Sequence, residues 1–174
     1  MKTILVLAIA TLAALPASAP AQGAVLGDVS ACEVGDMPAI RANIVGLKDR
    51  SGELKLELYP ANKDDFLKDD RDLIKEGKVF RRVRVSTPKT GAVSLCISVP
   101  RPGRYALLFT HDRDGKNKFN FWTDGAGFPS NKKLGRSRPQ LDEATINVPA
   151  GVVNTTIVAQ YLRGFSGFGP IDKD

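Results

Sequence analysis

Apolar residues return at every second position in run after run of this chain, and that period restricts its fold more than any other feature. Leu54, Leu56 and Leu58 alternate with Glu53, Lys55, Glu57 and Tyr59, and Val93, Leu95, Ile97 and Val99 alternate with Ser94, Cys96 and Ser98. A strand turns successive side chains to opposite faces, whereas a helix needs apolar spacings of three and four. The same period marks Ile40 to Val45, Lys78 to Ser86, Ala144 to Val148 and Val153 to Leu162. Arg104 to Thr110 differs in being apolar on both faces, so it is expected to lie centrally, covered on both sides. Turn signals separate these runs: Gly46 to Gly52, Pro102-Gly103 and Pro149-Ala150-Gly151. With no long amphipathic helix, the pattern predicts an all-β fold, a single antiparallel β-sandwich of about seven strands. Glu53 to Tyr59 reads as half-exposed, and the charged stretch from Asn62 to Gly77 as a solvated connection with one short helical turn.

The beginning of the chain reads as an export leader. Lys2 supplies the charge, Ile4 to Leu15 the apolar run, and Ala19-Pro20-Ala21 a cleavage site of small residues, which gives a signal peptide at residues 1–21. The run is too short to span a bilayer, and no later segment approaches the roughly 20 apolar residues a span requires. Residues 22–38 read as an irregular arm, residues 39–163 as the sandwich domain and residues 164–174 as a mobile tail. Two cysteines in an exported chain predict one disulfide, Cys32 to Cys96. Cys96 alternates with the core-facing residues of its strand, so the link is expected across the outside of the sheet.

Charge supplies two candidate sites. The formal net charge is +6, and basic residues gather at Arg82 and Arg84 and again at Lys132, Lys133, Arg136 and Arg138, a candidate patch for an anionic surface polymer. The loop after the central strand carries Asp112, Asp114, Lys118, Asn120 and Asp124. Calcium takes 6–8 oxygens from alternating side chains and a backbone carbonyl, and Asp112, Asp114 and Asn120 with the carbonyl of Lys118 fit such a loop. Lys116, Asn117 and Thr123 depart from it, which predicts weak calcium binding at most. The competing reading makes Asp112 and Asp114 acceptors of backbone N–H groups, with Lys116 as counter-charge.

Gly103, Tyr105, Ala106, His111, Asp112, Asp114, Gly125, Gly127, Phe128, Asp142 and Ala144 form a motif that resembles the bacterial domain-of-unknown-function family 2141. The resemblance covers roughly Ile40 to Leu162. It implies an exported β-sandwich similar to transthyretin-like or carboxypeptidase-regulatory-like modules, in a family without an established activity, and it supplies no catalytic residues; the fold class expected is accordingly a transthyretin-like or immunoglobulin-like sandwich. The usual loop of that family reads His-Asp-x-Asn-x-Asn-Gly-x-x-Asp, and here Lys116, Asn117 and Asn120 replace an amide, the Gly and the last Asp.

Catalytic equipment is sparse. His111 is the only histidine, which excludes a histidine-rich zinc site, and no nucleophile elbow accompanies it. The modest charge and the lack of an aromatic and basic strand face argue against nucleic acid. The reading is an exported non-catalytic module of the periplasm or cell exterior, without a cofactor, that binds or builds part of the envelope. The alternative is a hydrolase using His111 and Asp112.

Overall fold

The computed structural model describes residues 23–171, so the expected leader at residues 1–21 and the last three residues lie outside it. The described residues form strands β1 (Val25–Gly27), β2 (Ala39–Val45), β3 (Glu53–Pro60), β4 (Arg81–Ser86), β5 (Val93–Ser98), β6 (Gly103–Asp112), β7 (Gly125–Gly127), β8 (Thr145–Val148), β9 (Val152–Val158), β10 (Gln160–Leu162) and β11 (Phe168–Pro170), with three short helices, α1 (Val29–Glu33), α2 (Asp70–Lys75) and α3 (Leu141–Ala144). The strands among the described residues number eleven rather than about seven; the seven of four or more residues fall on the six alternating segments and on the doubly apolar Arg104 to Thr110. The other four have three residues each, too few to show a period.

Two sheets result. The smaller has the order β1-β5-β2-β9 and the larger β11-β10-β7-β6-β3-β4, with β8 added beside β6. Ile40, Ala42, Ile44, Leu95, Ile97 and Ile157 from the smaller sheet meet Leu54, Leu56, Leu58, Leu107 and Phe109 from the larger in one core. Strand β6 is central, between β3 on one side and β7 and β8 on the other, as its two apolar faces require. The pairing is not wholly antiparallel, because β1 runs parallel to β5 and β2 parallel to β9.

Three boundaries differ from the sequence reading. The segment Val153 to Leu162 is two strands, since the chain leaves the smaller sheet after Val158 and joins the larger at Gln160. Ala159 makes the crossing, and its N–H donates to Val45 O at 2.9 Å. Residues 22–38 are not an irregular arm: β1 pairs with β5, and the Asp28 carboxylate accepts from Ser98 N at 2.9 Å and Ser98 Oγ at 2.6 Å. Nor is the segment from Gly164 a free tail as far as Pro170, because β11 pairs with β10 and Phe168 is fully buried.

The outer faces are covered as well. Cys32 on α1 is joined to Cys96 on β5, and with Ala31 and Ala39 they form a small cluster outside the smaller sheet. On the larger sheet, Leu73 of α2 and Ala144 of α3 pack with Tyr59, Ala106 and Phe128. Strand β3 is therefore not half-exposed: Lys55, Glu57 and Tyr59 face away from the main core and are buried all the same.

The disulfide closes a sequence separation of 64 residues. Restricting an unfolded loop of that size is worth about 4 kcal/mol on the chain-entropy model, and losing a native bridge from a small secreted domain costs about 2–5 kcal/mol. Urea unfolding of Cys32→Ser, or of the reduced protein, is expected to show a loss in that range with the β circular dichroism retained in the absence of urea. An unchanged midpoint would mean that the helix and strand already hold each other without it.

Candidate functional site

The outward residues of β3 and β6 stand in register, Lys55 opposite Thr110 and Glu57 opposite Leu108, and Arg82 on β4 lies opposite Glu57. They form the floor of a cleft of about 850 Å³. Asn117, Phe119 and Phe121 build one wall, Leu67 to Arg71 another, and Leu134 with Arg136 to Pro139 a third, while Phe168 of β11 closes the end. Phe168 packs against Phe119 and Phe121, with ring centroids 6.0 and 5.0 Å away.

The charges of the floor are paired. Lys55 Nζ donates to Asp112 Oδ2 at 2.5 Å, and both side chains are nearly inaccessible, 6% and 1% exposed. Glu57 accepts from Arg82 Nε at 2.5 Å and from the Tyr59 hydroxyl at 3.0 Å, and Arg82 Nη1 reaches Asp70 at 2.7 Å. Burial, reinforced by the neighbouring Glu57 carboxylate, pushes the Tyr59 hydroxyl well above its ordinary range, so it stays a proton donor.

The acidic loop folds on itself. Asp112, Asp114 and Asp124 each bring an oxygen into a group spanning no more than 4.8 Å. Asp112 Oδ2 accepts from Asn117 N at 2.9 Å, Asp114 Oδ1 from Lys116 N at 3.1 Å, and Asp124 accepts from Arg113 N at 2.9 Å and Asn120 N at 2.8 Å. The hydrogen bonds of the second reading, carboxylates holding backbone N–H groups, are thus in place. Asn117 takes the left-handed conformation, φ 60°, that a glycine would otherwise supply, and asparagine tolerates it. Asn120 gives its amide N–H to Asp114 at 3.2 Å and turns its amide oxygen to Trp122 N. Lys118, whose backbone carbonyl is the expected ligand, is an exposed residue of the loop. Asp112 Oδ1 is the one oxygen of the group that is buried without a partner.

His111 and Asp112 alternate on β6 and so point to opposite faces. His111 is fully buried on the core side, with Nε2 2.8 Å from Ser51 O and Nδ1 2.7 Å from the Tyr161 hydroxyl. A carbonyl only accepts, so Nε2 carries the proton and Nδ1 receives one from Tyr161. Burial lowers the histidine pKa despite that carbonyl, and burial pushes Tyr161 up to about 12. The arrangement does not bring His111 and Asp112 together as an acid–base pair. The motif glycines beside them serve packing: a Cβ on Gly125 would come within 2.4 Å of the Tyr161 ring, and one on Gly127 within 2.6 Å of Ile157. Phe128 is buried against the outer face of the larger sheet.

Of the basic residues, Arg82, Arg136 and Arg138 line the cleft. Arg84 lies beyond it, paired with Glu53 at 2.5 Å, Lys132 approaches Glu143 at 3.9 Å, and Lys133 lies alongside Gly169. The predicted patch is therefore divided. Sequence reasoning missed Lys55, Glu57, Tyr59, Phe119 and Phe168 as site residues, because alternation tells which side chains leave the core and not what covers them.

The geometry defines a two-sheet β protein whose loops roof a charged cleft on its larger sheet. The chain belongs to the family described as uncharacterized protein conserved in bacteria (DUF2141), which matches residues 42–156. No curated protein and no solved structure matches it.

Breaking a buried ion pair from one side costs about 3–5 kcal/mol, because the remaining charge is stranded, whereas replacing both partners by apolar groups is often neutral. Lys55→Met is expected to destabilise the protein by that amount in urea unfolding, and Lys55→Met with Asp112→Leu to recover the part due to the stranded carboxylate but not the Asn117 N–H bond that Asp112 also accepts. A loss in the double variant as large as in Lys55→Met would show that the stranded carboxylate is not what costs the stability. His111 gives a pH signature. Its folded pKa lies below the ordinary 6.5, so the unfolded chain takes the proton first as pH falls. The stability is fully present above pH 6.5 and declines as pH drops through that value towards the lowered folded pKa. Melting temperatures from pH 8 to 5 are expected to show this decline in the native chain and to lose it in His111→Gln.

Proposed function

We propose that this chain is an exported, non-catalytic module of the bacterial cell envelope, a sandwich of the transthyretin-like or immunoglobulin-like kind, whose cleft binds an anionic surface partner. The leader pattern of residues 1–21 supports export, and the Cys32–Cys96 disulfide suits an oxidising compartment. The shared core of the two sheets supports the sandwich.

The observation that carries the binding reading is the charge of the cleft. Six cations line it, Lys55, Lys68, Arg71, Arg82, Arg136 and Arg138, beside Glu57, Asp69 and Asp70. Lys55 and Lys68 are paired with Asp112 and Glu76 outside the lining, which leaves Arg136 and Arg138 as the lining cations without a carboxylate partner among the described residues. Each carboxylate is already taken: Glu57 and Asp70 by Arg82, and Asp69 by Arg71. Arg138 has no ion-pair partner among the described residues, and Arg136 rests on the carbonyl of Phe165 at 2.5 Å. An exposed guanidinium beside a partly apolar cleft suits a carboxylate, sulfate or phosphate group, which it grips in a planar fork.

Retention on dextran sulfate resin at low salt tests this. Arg136→Gln with Arg138→Gln is expected to elute at distinctly lower salt than the native chain, whereas Arg84→Gln with Lys133→Gln, which removes the same charge outside the cleft, is expected to shift elution less. Equal shifts would reduce the attraction to net charge and overturn the cleft as its seat.

A further inference from the structure

We infer that the anionic partner is a linear acidic polysaccharide, bound along a trough that continues past the cleft; this deepens the reading above and rests on it. A second hollow of about 850 Å³ lies beside the first, lined by Lys63, Phe66, Arg104, Leu141, Asp142 and Thr145 among others. The two hollows share Leu67, Lys68, Arg138 and Pro139, so these residues form a saddle between them. Both lie over the outer face of β6, from Arg104 at one end to Thr110 at the other. At about 3.3 Å per residue that stretch measures about 20 Å, the reach of an extended chain rather than of a single small molecule. Leu67 holds the saddle with φ 63°, a conformation uncommon for a residue other than glycine, while its side chain packs with the outer apolar cluster.

The chemistry of the trough selects the class of chain. Lys63, Arg104 and Arg138 are exposed and have no ion-pair partner among the described residues, so three cations are open along its length. Asp64 and Asp142 in the second hollow are likewise without an ion pair, and a carboxylate facing a ligand needs a donor from it. An occupant that carries anionic groups and hydroxyl donors together engages both the open cations and these exposed carboxylates. A phosphodiester strand brings the first with few of the second, and a lipid head group is too short for both hollows. At the far end, Phe119 and Phe121 are each 46% exposed, beside Trp122 at 78%. Their electron-rich faces suit the C–H face of a sugar ring. A chain of uronic acid units meets all three demands.

Trp122 is the only tryptophan, and it touches Phe121 at a centroid distance of 5.7 Å, so its fluorescence reports on the aromatic end. Titrations use oligogalacturonates of two lengths, a trimer and a decamer, at low salt. A second contact made by the same chain multiplies affinity, and the decamer is expected to bind roughly thirtyfold or more tighter than the trimer. Lys63→Gln with Arg104→Gln is expected to remove most of that gain while leaving the trimer unaffected, and Phe121→Ala to weaken both. Circular dichroism confirms that each variant is folded. A length gain that survives in the Lys63/Arg104 variant overturns the trough, and the anion-binding cleft stands if the trimer and dextran sulfate still bind. Tighter binding of a single-stranded oligonucleotide or of phosphatidylglycerol vesicles than of the decamer overturns the polysaccharide.

Discussion

The ion pair between Lys55 and Asp112 sets the terms for the larger sheet. Two charges this poorly hydrated each carry a desolvation cost of several kcal/mol, offset here by their close approach and by the Asn117 N–H on Asp112 Oδ2, while Asp112 Oδ1 is left without a partner. Asp112 sits at the end of β6 and starts the acidic loop, while Lys55 sits in mid-β3, so the pair ties the loop to the sheet. The loop then supplies Asn117, Phe119 and Phe121 to the cleft wall. Removing the pair would loosen the wall and the floor together, since one carboxylate holds both the ammonium and the N–H of Asn117.

On the opposite side of the same strand, His111 has a different task. It bridges the carbonyl of Ser51 to the hydroxyl of Tyr161, and Arg113 ties Asp49 to the Thr123 carbonyl nearby. Burial alone would raise the Asp49 carboxyl, but hydrogen bonds from Arg113 and Ser51 hold it well below the usual carboxylate range. The residues around the central motif therefore serve two faces: a neutral hydrogen-bonded relay that closes the core, and an ionic one that carries the cleft. That division explains why His111 and Asp112, adjacent in sequence, share no chemistry.

The expected count of about seven fell short of the eleven strands present among the described residues, but the predominance of strand and the side on which Cys96 lies were legible from a period of two over at least four residues, and the centrality of β6 from its two apolar faces. The short strands were not, since three residues such as Val25 to Gly27 or Phe168 to Pro170 show no period and are held by their neighbours' edges. The crossing at Ala159 was hidden for the opposite reason: the alternation of Ile157, Ala159 and Tyr161 towards the core continues unbroken while the chain changes sheets. The cleft was half visible. Arg82, Arg136 and Arg138 stood out as charges, yet Lys55 and Glu57 looked like the solvent side of a strand because nothing local records that distant loops roof them.

The charges of this surface are sorted by depth, and that sorting bears on what the cleft does. On the floor Lys55 spends its charge on Asp112 and Glu57 on Arg82, so a ligand arriving there gains hydrogen bonds only by competing with existing pairs. Arg138, Lys63 and Arg104 at the rim face water and are screened, so each contributes little alone, though an anionic chain engaging them together sums their attraction. A fixed floor with an open rim attracts by charge and discriminates by fit. On the proposed reading the open rim would draw polyanions by charge, and the part-exposed Phe119 and Phe121, backed by the buried Phe168, would favour one with rings to lay against them.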